Sequence, residues 1–432
     1  MNAPSSEIAR YAELDARMLR AARGVRLLSL VSWPASVQAE FLARWRAGDT
    51  ALPHHEYPKH DFGEARRELE AIATEAAVDP EHPLARYLVE SSHDWSLAAE
   101  LLESLGTPRV GALSQQLFGR PDAALPGNGP TTREAARHFI DIANELDREL
   151  LAPEEQVEIS ATALRLQLQS DLDDFFDARV IEVVLDPDLI AKAAAGSTRI
   201  RLRAGAAFSD YDRQQLLQHE AFVHSLTGLN GRQQPVLKSL ALSSPRTTAT
   251  QEGLATFAEQ ITGAIDIQRM KRVSLRIEAV AMALDGADFV QVFRYFLDAG
   301  QDETESFSSA QRVFRGVPTT GGHAFTKDVV YLRGLVGVHT YFRWALKTDR
   351  LHLCRQLFAG KMTLEDAVRF ETLFKGGLSK GEGDAAAVLA PPRWLPRWLS
   401  RANGLAGMLA FSLFANRIRL DAVEEAPLLS PE

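Results

Sequence analysis

The stretch His219-Glu220-Ala221-Phe222-Val223-His224 constrains this chain more than any other. Two histidines that serve one site must share a helix face, and an α-helix achieves that at a spacing of four. Here the spacing is five. At about 100° per residue, positions five apart on an ideal α-helix point roughly 140° away from each other. An i to i+5 turn restores a common face, and such π-type turns occur often at functional sites. The sequence therefore predicts a distorted helix near residues 219 to 224. A regular helix there would speak against a shared site.

The helix is well marked. Ser209 reads as its N-cap, with Asp210 and Asp212 in the first turn, where the helix dipole favours negative charge. Leu216, Leu217 and Phe222 are expected to face the core, and Leu229-Asn230-Gly231 reads as a stop. Glu252 lies 28 residues past His224 and opens a second apolar helix, with Thr250 and Gln251 read as cap and turn residues. Two histidines, a glutamate between them and a second glutamate downstream are the parts of a zinc hydrolase. Two His and one Glu leave a fourth metal position for water, and the other Glu can act as its base. Glu259, two turns after Glu252, is either a surface carboxylate or a partner for a ligand histidine.

Further segments follow the same order along the chain: Leu229-Asn230-Gly231-Arg232-x-Gln234-Pro235, Thr250-Gln251-Glu252-Gly253-Leu254-Ala255, Arg312-Val313-Phe314-Arg315-Gly316 and Phe325 to Tyr331. Trp33-Pro34, Glu56-Tyr57-Pro58 and Phe118-Gly119-Arg120-Pro121 fit more loosely. Together they resemble the QEGLA-motif family, which includes flavohaemoglobin expression-modulating proteins and the microtubule-associated tyrosine carboxypeptidases, over roughly residues 25 to 375. The resemblance implies one Zn²⁺ per chain held by His219, His224 and Glu252, with Glu220 as catalytic base. It also implies a carboxypeptidase acting on a peptide or protein C-terminus, removing a residue that the family makes aromatic. One departure is visible: Val317-Pro318 follow Gly316, and the glycine pair arrives at Gly321-Gly322.

A carboxypeptidase needs a fixed cation for the substrate's terminal carboxylate and a donor for the developing oxyanion. Arg315 and Lys327 are the candidates for substrate binding, and Tyr331 for the catalytic donor, with Arg312 and Arg333 nearby. Structural ion pairing is the competing reading for each. His54, His55 and His60 read as a loop of solvent-facing imidazoles, and His323 sits in the glycine loop. An endopeptidase, an aminopeptidase or a metal-binding regulator without activity are the alternatives for the same motif.

The fold expected is mainly α with a small β-sheet (α+β), a zincin-like core preceded by a helical N-terminal subdomain. The divisions are 1–150 (helical), 151–376 (catalytic) and 377–432 (linker and amphipathic tail). Periodicity predicts helices over Ile8 to Val31, Val37 to Arg46, Glu64 to Ala77, Leu84 to Leu105, Thr132 to Leu151 and Pro153 to Phe176. Arg179 to Leu185 and the strictly alternating Thr198 to Arg203 read as strands beside the metal helix. The Arg/Trp segment Arg393 to Arg401 reads as a helix packed on the body, or as a membrane-surface segment.

A formal charge of −9 argues against nucleic-acid binding. Cys354 is the one cysteine, which excludes an intramolecular disulfide and a cysteine-rich zinc site, and a buried thiol is expected. The polar N-terminus shows no secretory signal, and the apolar run Leu405 to Phe414 is too short to span a bilayer at about 20 residues. A cytoplasmic enzyme without a transmembrane segment is the expectation.

Overall fold

A computed structural model of the protein describes residues 6–125, 129–149, 158–176, 178–187, 189, 192–265, 267–374, 388–400 and 405. Of the described residues helix accounts for 64% and strand for 5%, so the described chain is mainly helical with small sheets. The first block holds helices Ser6–Ala22, Leu27–Leu30, Ala35–Arg46, Gly63–Ala76, Pro83–Glu103, Arg109–Phe118 and Thr132–Glu149. Two of these depart from the periodicity. The single helix expected over Ile8 to Val31 breaks at Arg23-Gly24, where Val25 N–H closes a turn on the Ala22 carbonyl and Val25 and Val31 drop into the core. Helix Arg109–Phe118 was not expected; Pro108 precedes it, and Gly119 ends it at φ +89°.

Both expected strands form, as Glu182–Asp186 and Arg199–Arg203, paired in parallel with Val183 opposite Ile200. Ile200 and Leu202 are buried while Arg199, Arg201 and Arg203 face out, as the alternation predicts. A third strand, Ala193–Ala195, lies antiparallel to Arg199–Arg203 and makes one edge of this sheet. Ile159–Ser160 pairs with Ala207–Phe208 in a second, two-stranded sheet. The helix expected from Pro153 begins at Ala161, and residues 153–157 lie outside the described ones.

One buried apolar cluster runs from Tyr11 in the first helix through to Leu405. Polar ties fix the first block against the segment 238–247. Ser239 donates its N–H to Asp15 at 3.1 Å and its hydroxyl to the same carboxylate, and it bonds the Tyr87 hydroxyl at 2.8 Å. Burial pushes the Asp15 carboxyl up to about 6, against the bonds from Ser239. Arg246 bridges Glu90 and Asp366. That segment forms a wall of the site described below.

The looser N-terminal motifs also serve as ties. Trp33 Nε1 donates to the Tyr57 hydroxyl, which accepts Gly316 N–H at 2.7 Å. Gly316 in turn accepts Gly106 N–H through its carbonyl at 2.8 Å. Near the C-terminus, Trp394 packs on Phe176, and Trp398 packs on Phe257, Phe342 and Phe358. The described part of the Arg/Trp segment is thus docked on the body. Residues 375–387, 401–404 and 406–432, with most of the expected linker and tail, lie outside the described residues. Among the described residues no helix is long and apolar enough to cross a membrane. Cys354 is buried, and burial pushes its thiol up to about 12.

Candidate metal centre

The helix carrying the two histidines is distorted as their spacing requires. Asp210–Gln215 is α-helical and opens on a capping box: the Ser209 hydroxyl accepts Asp212 N–H, and the Asp212 carboxylate accepts Ser209 N–H. Leu216–Ser225 is then π-helical, and Leu226–Arg232 returns to α. The π segment places the His219 and His224 rings 4.8 Å apart on one face. Leu216, Leu217 and Phe222 face the core as expected. Gly231 does not stop the helix. It lies inside the last turn, where a Cβ would meet the Leu240 carbonyl oxygen at 2.3 Å. Its smallness permits the 238–247 wall to approach.

Glu252 comes from helix Thr248–Thr262. This helix starts earlier than expected, because Ser244 and Pro245 carbonyls accept the N–H groups of Thr247 and Thr248 in a turn that leads into it. Glu252 therefore occupies the second turn, and Thr250 and Gln251 are buried helix residues rather than cap and turn. Gln251 accepts the Thr227 hydroxyl at 2.9 Å, joining the helix of His219 and His224 to that of Glu252. Gly253, the residue after Glu252, packs against Gly334 of helix Val330–Lys347; a Cβ at Gly253 would stand 2.1 Å from the Gly334 carbonyl carbon. Glycine on both helices permits this crossing. It brings Glu252 against Lys327 and Tyr331.

The bonding around the three side chains is directional. His219 Nδ1 bonds Glu259 Oε1 at 2.5 Å, which leaves Nε2 to the site. Glu259 is fully buried and is bonded by Arg269, so it is a partner of His219 rather than a surface carboxylate. Lys327 Nζ donates to Glu252 Oε1 at 2.8 Å, leaving Oε2 to the site. Glu252 Oε2 stands 3.5 Å from His219 Nε2 and 3.7 Å from His224 Nε2. All three donor atoms lie within 4.8 Å of one another. Zinc bonds to N and O of roughly 2.0–2.1 Å in a tetrahedron imply ligand-to-ligand edges of about 3.3 Å. The two separations are close to that edge and too long for hydrogen bonds. A set of two imidazoles and one carboxylate also suits zinc chemically.

Electrostatics follow from the burial. Burial disfavours charge on His219, but the nearby carboxylates of Glu252 and Glu259 outweigh it and lift its pKa to about 10. Burial would raise Glu252, yet Lys327, His219 and His224 hold it well below the ordinary carboxylate value. Glu220, half-buried, points its Oε1 to 4.0 Å from His219 Nε2.

These groups line a cavity of about 480 Å³, together with Ala195-Gly196-Ser197, Ala241 to Ser244, Tyr331 and Lys361. Tyr331 is thus placed at the site, with Lys327 Nζ 5.0 Å from its ring centroid. Lys327 also lines the cavity, but its charge is engaged by Glu252. Arg315 is not among the lining residues. It caps the end of helix Glu303–Phe314, where its buried Nε has no hydrogen-bond partner, and burial and Arg312 push its pKa down to about 10. Arg312 forms a two-bond pair with Asp328, at 2.7 and 2.5 Å. His54, His55, His60, His323 and Arg333 are not brought to the cavity.

Two participants escaped the sequence reading. Arg269, the cation behind Glu259, has no spacing that announces it. Lys361 left a faint signal: it is one charge inside the otherwise apolar run Leu357 to Met362, all of it buried. Its Nζ donates to Ser243 Oγ at 2.6 Å. Burial pushes its pKa down to about 8, with Glu220 and Glu252 partly offsetting.

A mainly helical chain with a three-donor metal-type centre, two donors on a π-helix and the third on a neighbouring α-helix, is the class that fold and site define. The sequence model of the microtubule-associated tyrosine carboxypeptidases matches residues 39–417, and the chain belongs to that family. A search of curated proteins finds no match.

Proposed function

We propose that this chain is a zinc-dependent carboxypeptidase with a zincin-like core, acting on the C-terminus of a peptide or protein. The observation that carries the proposal is the convergence of His219 Nε2, His224 Nε2 and Glu252 Oε2, with the Glu220 carboxylate 4.0 Å from His219 Nε2. His219, His224 and Glu252 would hold the ion. When bound, zinc would supply Lewis acidity to a water and to the scissile carbonyl. Glu259 fixes the His219 ring and Lys327 fixes the Glu252 carboxylate. Glu220 takes a proton from the attacking water and returns it to the leaving amine. The Tyr331 hydroxyl donates to the developing oxyanion. The edge strand Ala193–Ala195 lies beside the cavity and can hold extended peptide by main-chain bonds.

A second cavity, of about 680 Å³, adjoins the first and shares Leu28, Leu242, Ser243, Ser244, Thr248 and Lys327 with it. Its apolar wall includes Val25, Trp95 and Phe118. This suits an apolar or aromatic side chain on the departing residue, in line with the family's description.

The test uses zinc-loaded protein and two peptides of one sequence ending in tyrosine, one a free acid and one a C-terminal amide. Mass spectrometry should show loss of one residue from the acid, none from the amide, and no loss with Glu220→Gln. Equal cleavage of the amide, or internal cleavage, would replace the carboxypeptidase reading with an endopeptidase one. No cleavage by any zinc-loaded sample would reject enzymatic activity.

A further inference from the structure

Three buried or half-buried cations near the site have no carboxylate within ion-pair distance among the described residues: Arg276, Arg315 and Lys361. The other buried cations there are each matched, Lys327 by Glu252, Arg312 by Asp328 and Arg269 by Glu259. Of the unmatched three, only Lys361 lines the metal-type cavity. It is 7% exposed, and its ammonium has one neutral partner, Ser243 Oγ. Glu220 and Glu252 offset the burial of this ammonium only in part and neither touches it, so a ligand carboxylate in direct contact would relieve the remaining cost.

The position is informative. Ser243 lines both cavities, so the Lys361–Ser243 pair stands where they meet. A carboxypeptidase substrate places its scissile carbonyl at the reacting groups and its terminal carboxylate one residue further on. Its last side chain departs toward a pocket of its own. A cation at the junction of the reacting cavity and an apolar one meets that layout. The placement is held from both sides, since Lys361 N–H donates to the Leu240 carbonyl at 2.7 Å while its side chain reaches Ser243. A purely structural lysine bridging these loops would need no charge.

We propose that Lys361, positioned by Ser243, receives the α-carboxylate of the substrate's C-terminal residue and so selects free C-termini. This rests on the carboxypeptidase reading above. A charge-assisted bond in a buried setting predicts about a tenfold to hundredfold preference for acid over amide.

Binding is measured by calorimetry on the zinc-loaded full chain in a Glu220→Gln background, with the free-acid and amide peptides. The expected result is tighter binding of the acid by about tenfold or more, a ratio that collapses toward one in Lys361→Gln and largely survives in Lys361→Arg. A merely structural role would weaken both peptides alike and leave the ratio intact, which would overturn the proposal. Ser243→Ala guards against misfolding of the lysine variants, because it keeps the charge; it should lower the ratio without abolishing it, and an unchanged ratio counts against the pair. If protein with Glu220 intact trims the acid while Lys361→Gln keeps the full ratio, the anchor falls and the carboxypeptidase reading stands. If protein with Glu220 intact trims nothing, both fall.

Discussion

Gly253→Ala should break the candidate centre without touching any ligand. A Cβ there would stand 2.1 Å from the Gly334 carbonyl carbon and 2.3 Å from its oxygen, and ordinary contact begins near 3.4 Å. The obstacle is backbone inside a helix, so no side chain can swing away. Helices Thr248–Thr262 and Val330–Lys347 would have to part by about 1.3 Å at the crossing, the difference between those two distances. Alanine gains about 1 kcal/mol of helix propensity over glycine, while overpacking of this kind costs roughly 1–3 kcal/mol or more. A net loss of about 2 kcal/mol follows if the clash lies at the upper end. A shift of that size also disrupts the 2.8 Å bond from Lys327 to Glu252, so zinc affinity should fall with stability. Gly337→Ala is the control on the second of these helices. Its Cβ would meet Leu364 Cδ1 at 3.5 Å, an ordinary contact, so it should be neutral or stabilising. Urea denaturation monitored by circular dichroism, with zinc titration of each variant, reads both effects. Equal stability and equal zinc affinity in the two variants would refute the close-crossing explanation.

Glu259→Gln should lower zinc affinity about tenfold to a hundredfold, measured by competition with a chelating dye, because the carboxylate holding His219 Nδ1 is lost. An unchanged affinity would remove Glu259 from the centre. Tyr331→Phe should lower kcat about a hundredfold or more with little change in KM if its hydroxyl serves the oxyanion; an unaltered kcat would assign that duty elsewhere. Asp15 takes its proton more readily in the fold, at about 6, than its ordinary 3.8, so its contribution is complete below about pH 4 and fades as the pH rises through 6. Relative to Asp15→Asn, the wild type should lose about 3 kcal/mol of stability across that range. Parallel stability curves for the two proteins would contradict this.

What could be read from the chain beforehand was what local geometry dictates. The π distortion follows from a five-residue spacing, and the Ser209 cap and the alternating strand 199–203 follow from short-range chemistry. Interactions set by distant segments were not legible. Strand Ala193–Ala195 has no β-branched residue and forms only because 199–203 offers it a ladder. Gly253 and Gly334 have no visible relation until their helices cross. The cations show the same limit. Arg315 and Lys327 were candidates by type and neighbourhood, yet the fold turns one away from the cavity and gives the other to Glu252. Lys361 reaches the cavity through the tie between residues 240 and 361, which no local pattern predicts.

The most direct measurement is the metal content of purified protein by inductively coupled plasma mass spectrometry, wild type beside His224→Ala. About one zinc per chain in the wild type, lost in the variant, is the predicted result. No zinc in either after incubation with the metal, or equal zinc in both, would contradict a centre built on His219, His224 and Glu252.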